Sequence, residues 1–558
     1  MSSITEALVS ERLAEAPTAN AAFAPDRTAQ PAPPFQGSVK LQASTLRTAP
    51  LLDAPLIGGR DARLFPGVQL EFFTLGDRLV PVQRGAMVRE SDAGAAASYW
   101  CAIPQIGRVW RQPGDGEWSR AAFPIMLVND TENHARQGLA LFLYRPDRIS
   151  AMTLQFVQQS SPYLIPQYFV AWGKAAAEYQ PADARGLDSM REQAQREIAD
   201  RIPARPWTDL LAQVPPGTLD GFGGPLGPST RVAAALLFQG ALYYMDCETP
   251  YGAYPYPLEM RFGVRSVTKG VFAPLALLHL AEIYGPSVLS LTIGDHVRGL
   301  DRKWRRVRFL DAANMASGFG GTGSTRTQPN DIYDGYLGGD YDAWYTAPSL
   351  QEKLRLINAQ GHPYPWEPGT VVRYRDQDYF LLGVALDHWL RSLRGPGADL
   401  GLMIREQILE PIGIHQAPAV RTRESDGQEG ILWCNAGYYP TLDDLAKIAR
   451  LYQSRGEHAG VQILHRALTE ALLSGRLLHS KQSRYAMGLH FVPHIDSHGR
   501  PTFLPSLRGS GDDEVILHPS GAVSILMARA PADALRIAAP RSEERHPTIQ
   551  AVERLAAL

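Results

Sequence analysis

The chain has 558 residues, of which 45% are hydrophobic and 20% charged, and its formal net charge is −2. That length exceeds one ordinary core and implies a soluble globular protein of two or three domains. The near-neutral balance gives no reason to expect nucleic acid or an anionic membrane as a partner.

Met1 to Glu11 holds Glu6 and Glu11 and no basic residue, so no secretory leader is expected there. No apolar run reaches the ~18 residues that a membrane-spanning helix needs. Cys101, Cys247 and Cys434 are odd in number and scattered, which argues against a disulfide framework or a cysteine metal site. A cytoplasmic location is the expectation.

Residues 1–38 are rich in Ala, Pro, Thr and Ser and include Gln30-Pro31-Ala32-Pro33-Pro34. They are expected as a flexible or extended arm with little core of its own. Over 39–165 short apolar runs such as Phe123-Pro124-Ile125-Met126-Leu127-Val128 and Leu139-Ala140-Leu141-Phe142-Leu143-Tyr144 alternate with turns such as Pro113-Gly114-Asp115-Gly116. This pattern predicts a β-rich N-terminal domain. It holds no catalytic constellation, and Asp130, Glu132 and His134 read as a solvated turn rather than a metal cluster. The pattern turns helical over 166–224, and Gly and Pro crowd 215–228 at the boundary of a main domain, 225–558. There Arg231 to Phe238 and Ala241 to Tyr244 flank Gln239-Gly240, which predicts a tight hairpin.

The next stretch, Met260-Arg261-Phe262-Gly263-Val264-Arg265-Ser266-Val267-Thr268-Lys269-Gly270, carries the chemistry. Serine and lysine three apart fall on one helical face, so hydroxyl and amine touch. A serine hydroxyl needs a neighbouring base to act as a nucleophile near neutral pH. Lysine serves only where burial or positive neighbours lower its pKa. Val271 to Leu280 is almost wholly apolar, which predicts a buried helix and a poorly solvated amine. Arginine does not deprotonate in proteins, and the chain holds only seven lysines, so the pairing is informative. The bland alternative makes Ser266 a helix cap and Lys269 a surface charge. Pro274 is awkward within this helix, which must bend there or be short.

Arg302 to Arg308 reads as a solvated basic run beside Trp304 and Phe309. Residues 318–346, rich in Gly, Asp and Tyr, are expected as a long loop over the cleft, a candidate lid. His490, His494 and His498 recur every fourth residue, which on a helix would align three imidazoles for zinc. Pro493 and Gly499 interrupt that run, and a strand is the better reading.

Six stretches together resemble the serine β-lactamase and penicillin-binding-protein superfamily, most of all its class C β-lactamase and esterase branch. Ser266-Val267-Thr268-Lys269 resembles the first motif. Met315-Ala316-Ser317-Gly318-Phe319 is similar to the segment closing with Ser-Gly, and Tyr374-Arg375-Asp376 to the Tyr-x-Asn motif. Glu410-Pro411-Ile412-Gly413-Ile414 resembles the Pro-Leu-Gly-Met turn, and Ala436-Gly437-Tyr438-Tyr439 with Asp443 to Lys447 the entry into a later helix. Gly509-Ser510-Gly511 stands where Lys-Thr-Gly belongs. The resemblance spans about residues 225–535 and leaves the first 200 uncovered.

It implies an α/β (α+β) fold with an antiparallel sheet flanked by helices beside a helical lobe. It implies Ser266 as nucleophile, Lys269 as base and Tyr374 as proton shuttle, given a phenol pKa lowered beside Lys269. It also implies an oxyanion hole from the N–H groups of Ser266 and Asp512, with Gly509, Ser510 and Gly511 lining the substrate. Two positions depart from the family. Asp376 replaces Asn and would hold Lys269 charged, or else pair with a substrate cation. Gly509 replaces a lysine, whose charge Arg508 either restores or does not. The expected protein is a serine hydrolase of a small-molecule ester or amide, with no metal or organic cofactor. The alternatives are an acyltransferase with a non-water acceptor and a decayed penicillin-binding-like sensor. Oligomeric state is left open.

Overall fold

The structure, a computed structural model, describes residues 15–89, 97–182, 187–224, 230–320, 341–478, 484–529 and 546–558. Two large sheets organise them, both antiparallel except where the edge strand Ala204–Pro206 of the second pairs parallel with Ala241–Tyr244. The first has twelve strands among the described residues and centres on β1 (Ser119–Val128), β2 (Ala135–Arg145) and β3 (Met152–Gln159). β1 and β2 read as continuous apolar runs because both of their faces are covered. Ala121, Phe123 and Ile125 join Phe35, Phe72 and Phe142 in the domain's own core. Their alternates Ala122, Met126 and Val128 join the core of the domain that follows.

The helical pattern expected from 166 begins later. Val170–Ala175 and Ala177–Pro181 are strands, and the first long helix is α1 (Asp188–Ala199). Those strands pair with Arg47–Ala49 and Gly37–Leu41, so distant partners override the local signal. The Pro-rich arm is anchored by Phe23 and Phe35, which are buried in two different cores. The turn expected to be solvated is interior. Glu132 and His134 are fully buried, because this end of the β1–β2 hairpin abuts the second domain.

The second sheet has eight strands among the described residues. β4 (Arg231–Phe238) and β5 (Ala241–Tyr244) form the predicted hairpin. Gln239 (φ +47°) and Gly240 (φ +80°) are both left-handed, as a two-residue type I′ turn requires. A meander follows, made of β6 (Leu489–Ile495), β7 (Pro501–Gly509), β8 (Asp513–Leu517) and β9 (Val523–Ala528). β9 pairs with β4, which joins the two ends of the domain's sequence.

The helices that bear on the site are α2 (Phe272–Tyr284), α3 (Tyr341–Thr346), α4 (Asp376–Arg394), α5 (Leu442–Gln453) and α6 (Pro547–Ala556). Ala235 and Leu237 of β4 share a core with α2 and α5, whereas Ala234 and Leu236 share one with α6. The architecture is therefore α/β (α+β), an antiparallel sheet with helices on both faces beside a helical lobe, preceded by a β-rich domain. The stretch Arg265–Tyr284 is long and apolar enough by composition to cross a membrane, but nearly all of it is packed inside the fold. Pro274 lies in the first turn of α2, where it breaks no i−4 hydrogen bond.

Candidate active site

The nucleophile stretch is a separate 3₁₀ turn, Arg265–Gly270, ahead of α2. In a 3₁₀ turn residues i and i+3 eclipse, and Ser266 Oγ and Lys269 Nζ lie 2.7 Å apart. Gly270 permits this packing. A Cβ there would lie 2.1 Å from Leu507 Cδ2 and 3.1 Å from the Gly488 carbonyl oxygen. The surface-charge alternative for Lys269 is overturned, since its side chain is only 1% exposed.

Lys269 Nζ has two further partners. It donates to the Asn435 carbonyl at 2.8 Å and pairs with Asp376 Oδ1 at 2.6 Å. Burial lowers the amine from its ordinary value, and Asp376 opposes that shift without cancelling it. Asp376 opens α4, and its other oxygen accepts a hydrogen bond from the Tyr341 hydroxyl of α3. Of the two roles open to Asp376, the Lys269 pair is the one its contacts in the structure form, with Tyr341 on the other oxygen.

Tyr374 is buried and its side chain is hydrogen-bonded to Ser266. Its ring centroid lies 5.1 Å from Lys269 Nζ. The expected depression of its pKa is corrected. Burial, with Asp376 adding to it, pushes the phenol well above its ordinary value, and the Ser266 hydrogen bond only opposes this. Burial therefore favours the neutral phenol over the phenolate. Behind it stand Tyr485 and His490, and burial, with Arg508 and Lys269 nearby, pushes His490 down to about 3.

The third motif closes the other side. Gly509 ends β7 and pairs with Asp513, so Ser510, Gly511 and Asp512 form the turn into β8. Gly511 (φ +94°) and Asp512 (φ +67°) are both left-handed. A Cβ at Gly509 would lie 2.4 Å from the Val264 carbonyl oxygen, so β7 runs directly along the nucleophile turn. Arg508 pairs with Glu514 at 3.2 Å, which commits the charge next to the motif. Asp513 is buried, and burial pushes its carboxyl up to about 7.

His490 and His494 lie on strand β6, and His494 pairs with Glu553 of α6 at 3.1 Å, away from His490. Among the described residues no group of three His, Cys, Asp or Glu side chains converges on a metal position. Of the expected lid over 318–346, residues 321–340 lie outside the described residues, and 341–346 form α3.

Tyr341 and Asn435 carry no local sequence signal. Tyr341 is one of several tyrosines in a Gly- and Asp-rich stretch, and Asn435 acts through its backbone. The Asn435 side-chain amide is buried and makes no hydrogen bond among the described residues.

No family model and no curated protein matches this sequence. The solved structures it is similar to are serine β-lactamase-like and penicillin-binding-protein-like proteins. One is an octameric penicillin-binding protein homologue from Pyrococcus abyssi, at 17% identity over 66% of this chain and 80% of that one, TM-score 0.39. Another is a D-stereospecific amidohydrolase from Streptomyces sp., at 13% identity over 56% and 94%, TM-score 0.35. A family VIII carboxylesterase is similar at 13% identity over 58% and 92%, TM-score 0.36. These likenesses are distant, and the chemistry below rests on the geometry of Ser266, Lys269 and Tyr374.

Proposed function

We propose that this chain is a serine hydrolase that cleaves a small-molecule ester or amide through an acyl-enzyme on Ser266. The observation that carries this reading is one half-buried hydroxyl with a buried amine 2.7 Å away and a buried phenol hydrogen-bonded to it. Ser266 Oγ attacks the carbonyl carbon as its proton passes to the neutral amine of Lys269. The oxygen that becomes negative is held by the backbone N–H groups of Ser266 and Asp512. Support for that pairing is the contact of Gly509 with Val264, which brings the third motif alongside the nucleophile turn. As the intermediate collapses, Tyr374 gives its phenolic proton to the leaving group and regains one from the Lys269 ammonium. Water then attacks the acyl-enzyme by the same steps in reverse order.

Asp376 works in two directions. It favours the charged amine before reaction, yet it stabilises the ammonium that forms when Ser266 loses its proton. The acidic member of a Ser-His-Asp triad does the same for its imidazolium. The pairing of Arg508 with Glu514 favours esters or amides without a carboxylate beside the scissile bond. The scheme uses side chains and backbone alone.

A fluorophosphonate probe and a nitrophenyl ester test the reading. Labelling and turnover are expected in the wild type and lost in Ser266→Ala. A folded, unlabelled wild type would overturn it in favour of a sensor without catalysis.

A further inference from the structure

We infer that the N-terminal β domain is a working part of this site, with Asn133 a positioning residue that holds Arg265 so that Ser266 is correctly presented. The inference rests on the reading of Ser266 as nucleophile.

Arg265, immediately before Ser266, has φ +46°. Left-handed backbone is disfavoured for residues with a Cβ, and positions needing it are ordinarily Gly or Asn. Such strain persists where surrounding structure over-determines it. Here the surroundings come from the other domain. The Arg265 N–H donates to Asn133 Oδ1, and its guanidinium donates to the Ser161 carbonyl. The same guanidinium lies 3.7 Å from Glu132 Oε2 and 5.5 Å from the Tyr163 ring centroid. Glu132 is itself fixed, since it accepts from the Tyr99 hydroxyl at 2.8 Å and the Leu164 N–H at 3.1 Å.

Asn133 also reaches the base. Its Nδ2 donates to the Tyr438 carbonyl at 3.0 Å, and the Tyr438 N–H donates to Thr268 Oγ1 at 3.2 Å. Three residues before Tyr438 is Asn435, whose carbonyl accepts from Lys269. One fully buried side chain thus ties the turn bearing the nucleophile to the segment that aims the base.

Two glycines record how close the domains come. A Cβ at Gly263 would lie 2.2 Å from the Asn133 carbonyl oxygen, and one at Gly511 would lie 2.3 Å from Ser161 Cβ. The N-terminal domain therefore abuts both the nucleophile turn and the third motif. Its β1–β2 strands share the main domain's core, so the contact is rigid.

The test measures the fluorophosphonate labelling rate and ester kinetics on the full chain. Asn133→Ala is expected to slow labelling and kcat at least about tenfold with KM nearly unchanged, as for misplacement of a reacting group. In an Arg265→Gly background, where φ +46° carries no penalty, the same substitution is expected to cost less than about threefold. Equal losses in both backgrounds would overturn the inference, as would a wild-type rate in Asn133→Ala. A second pair does not depend on Asn133→Ala folding. Arg265→Asn and Arg265→Val both lose the guanidinium, but only Asn tolerates left-handed backbone, so Asn is expected to label at least about tenfold faster than Val. Equal rates for these two would also overturn it. An unlabelled wild type strikes instead at the assignment of Ser266.

Discussion

Lys269 Nζ lies 2.6 Å from Asp376 Oδ1, and both groups are almost wholly buried. With Lys269 as the proposed base, the pair sets the fraction of neutral amine available to Ser266, and activity is expected to rise with pH through the pKa of that amine. Asp376 raises this pKa against the lowering effect of burial. Asp376→Asn removes the opposing charge, so the acid limb of kcat/KM is expected to move to lower pH by about one unit or more. A limb that stays fixed or moves upward would show that Asp376 does not act on Lys269.

Lys269→Arg keeps a positive charge in the site but supplies no base, because guanidinium stays protonated. Turnover is expected to fall by roughly a hundredfold to ten-thousandfold, the usual span of general-base catalysis. Single-turnover measurements should place the loss in acylation. Near-normal activity would exclude Lys269 as the base.

Tyr374→Phe keeps the ring packed against Tyr485 and removes only the hydroxyl hydrogen-bonded to Ser266. With the phenol neutral, its loss falls on protonation of the leaving group. The defect is expected to be largest for amides and alkyl esters, and to shrink for nitrophenyl esters, whose leaving group departs unprotonated. A uniform defect across leaving groups would argue for a positioning role only.

Asp513 sits one residue past the third motif, and its folded-state carboxyl is raised from 3.8 to about 7 by burial. A carboxyl raised on folding binds more protons in the native state than in the unfolded chain between those two values. Its contribution is therefore fully present below pH 3.8 and declines as pH rises towards 7. Asp513→Asn keeps an oxygen for the Ala528 N–H, which Asp513 Oδ1 accepts at 2.9 Å. Chemical denaturation at pH 5 and pH 8 should show the variant gaining stability over wild type at the higher pH. No difference in the pH response would mean that Asp513 is solvated.

Much of the chemistry was legible because it is local. Ser266 and Lys269 are joined by one turn, so their spacing alone brings hydroxyl and amine together, and the apolar run after them announces burial. The Gln239-Gly240 hairpin and the strand character of β6 are likewise short-range matters of turn chemistry and alternation. Sequence thus determined which hydroxyl has a base beside it and which segments form sheet.

The tertiary structure decided what that base feels. Asp376 and Asn435 reach Lys269 from two other segments and Tyr341 holds Asp376 from a third, and only packing chooses among many similar aspartates and tyrosines. Likewise nothing in the run Glu132-Asn133-His134 separates a solvated turn from a buried clamp until β1 and β2 are seen covered on both faces. Burial and charge pairing depend on which surfaces meet, and a chain read residue by residue carries no record of those meetings.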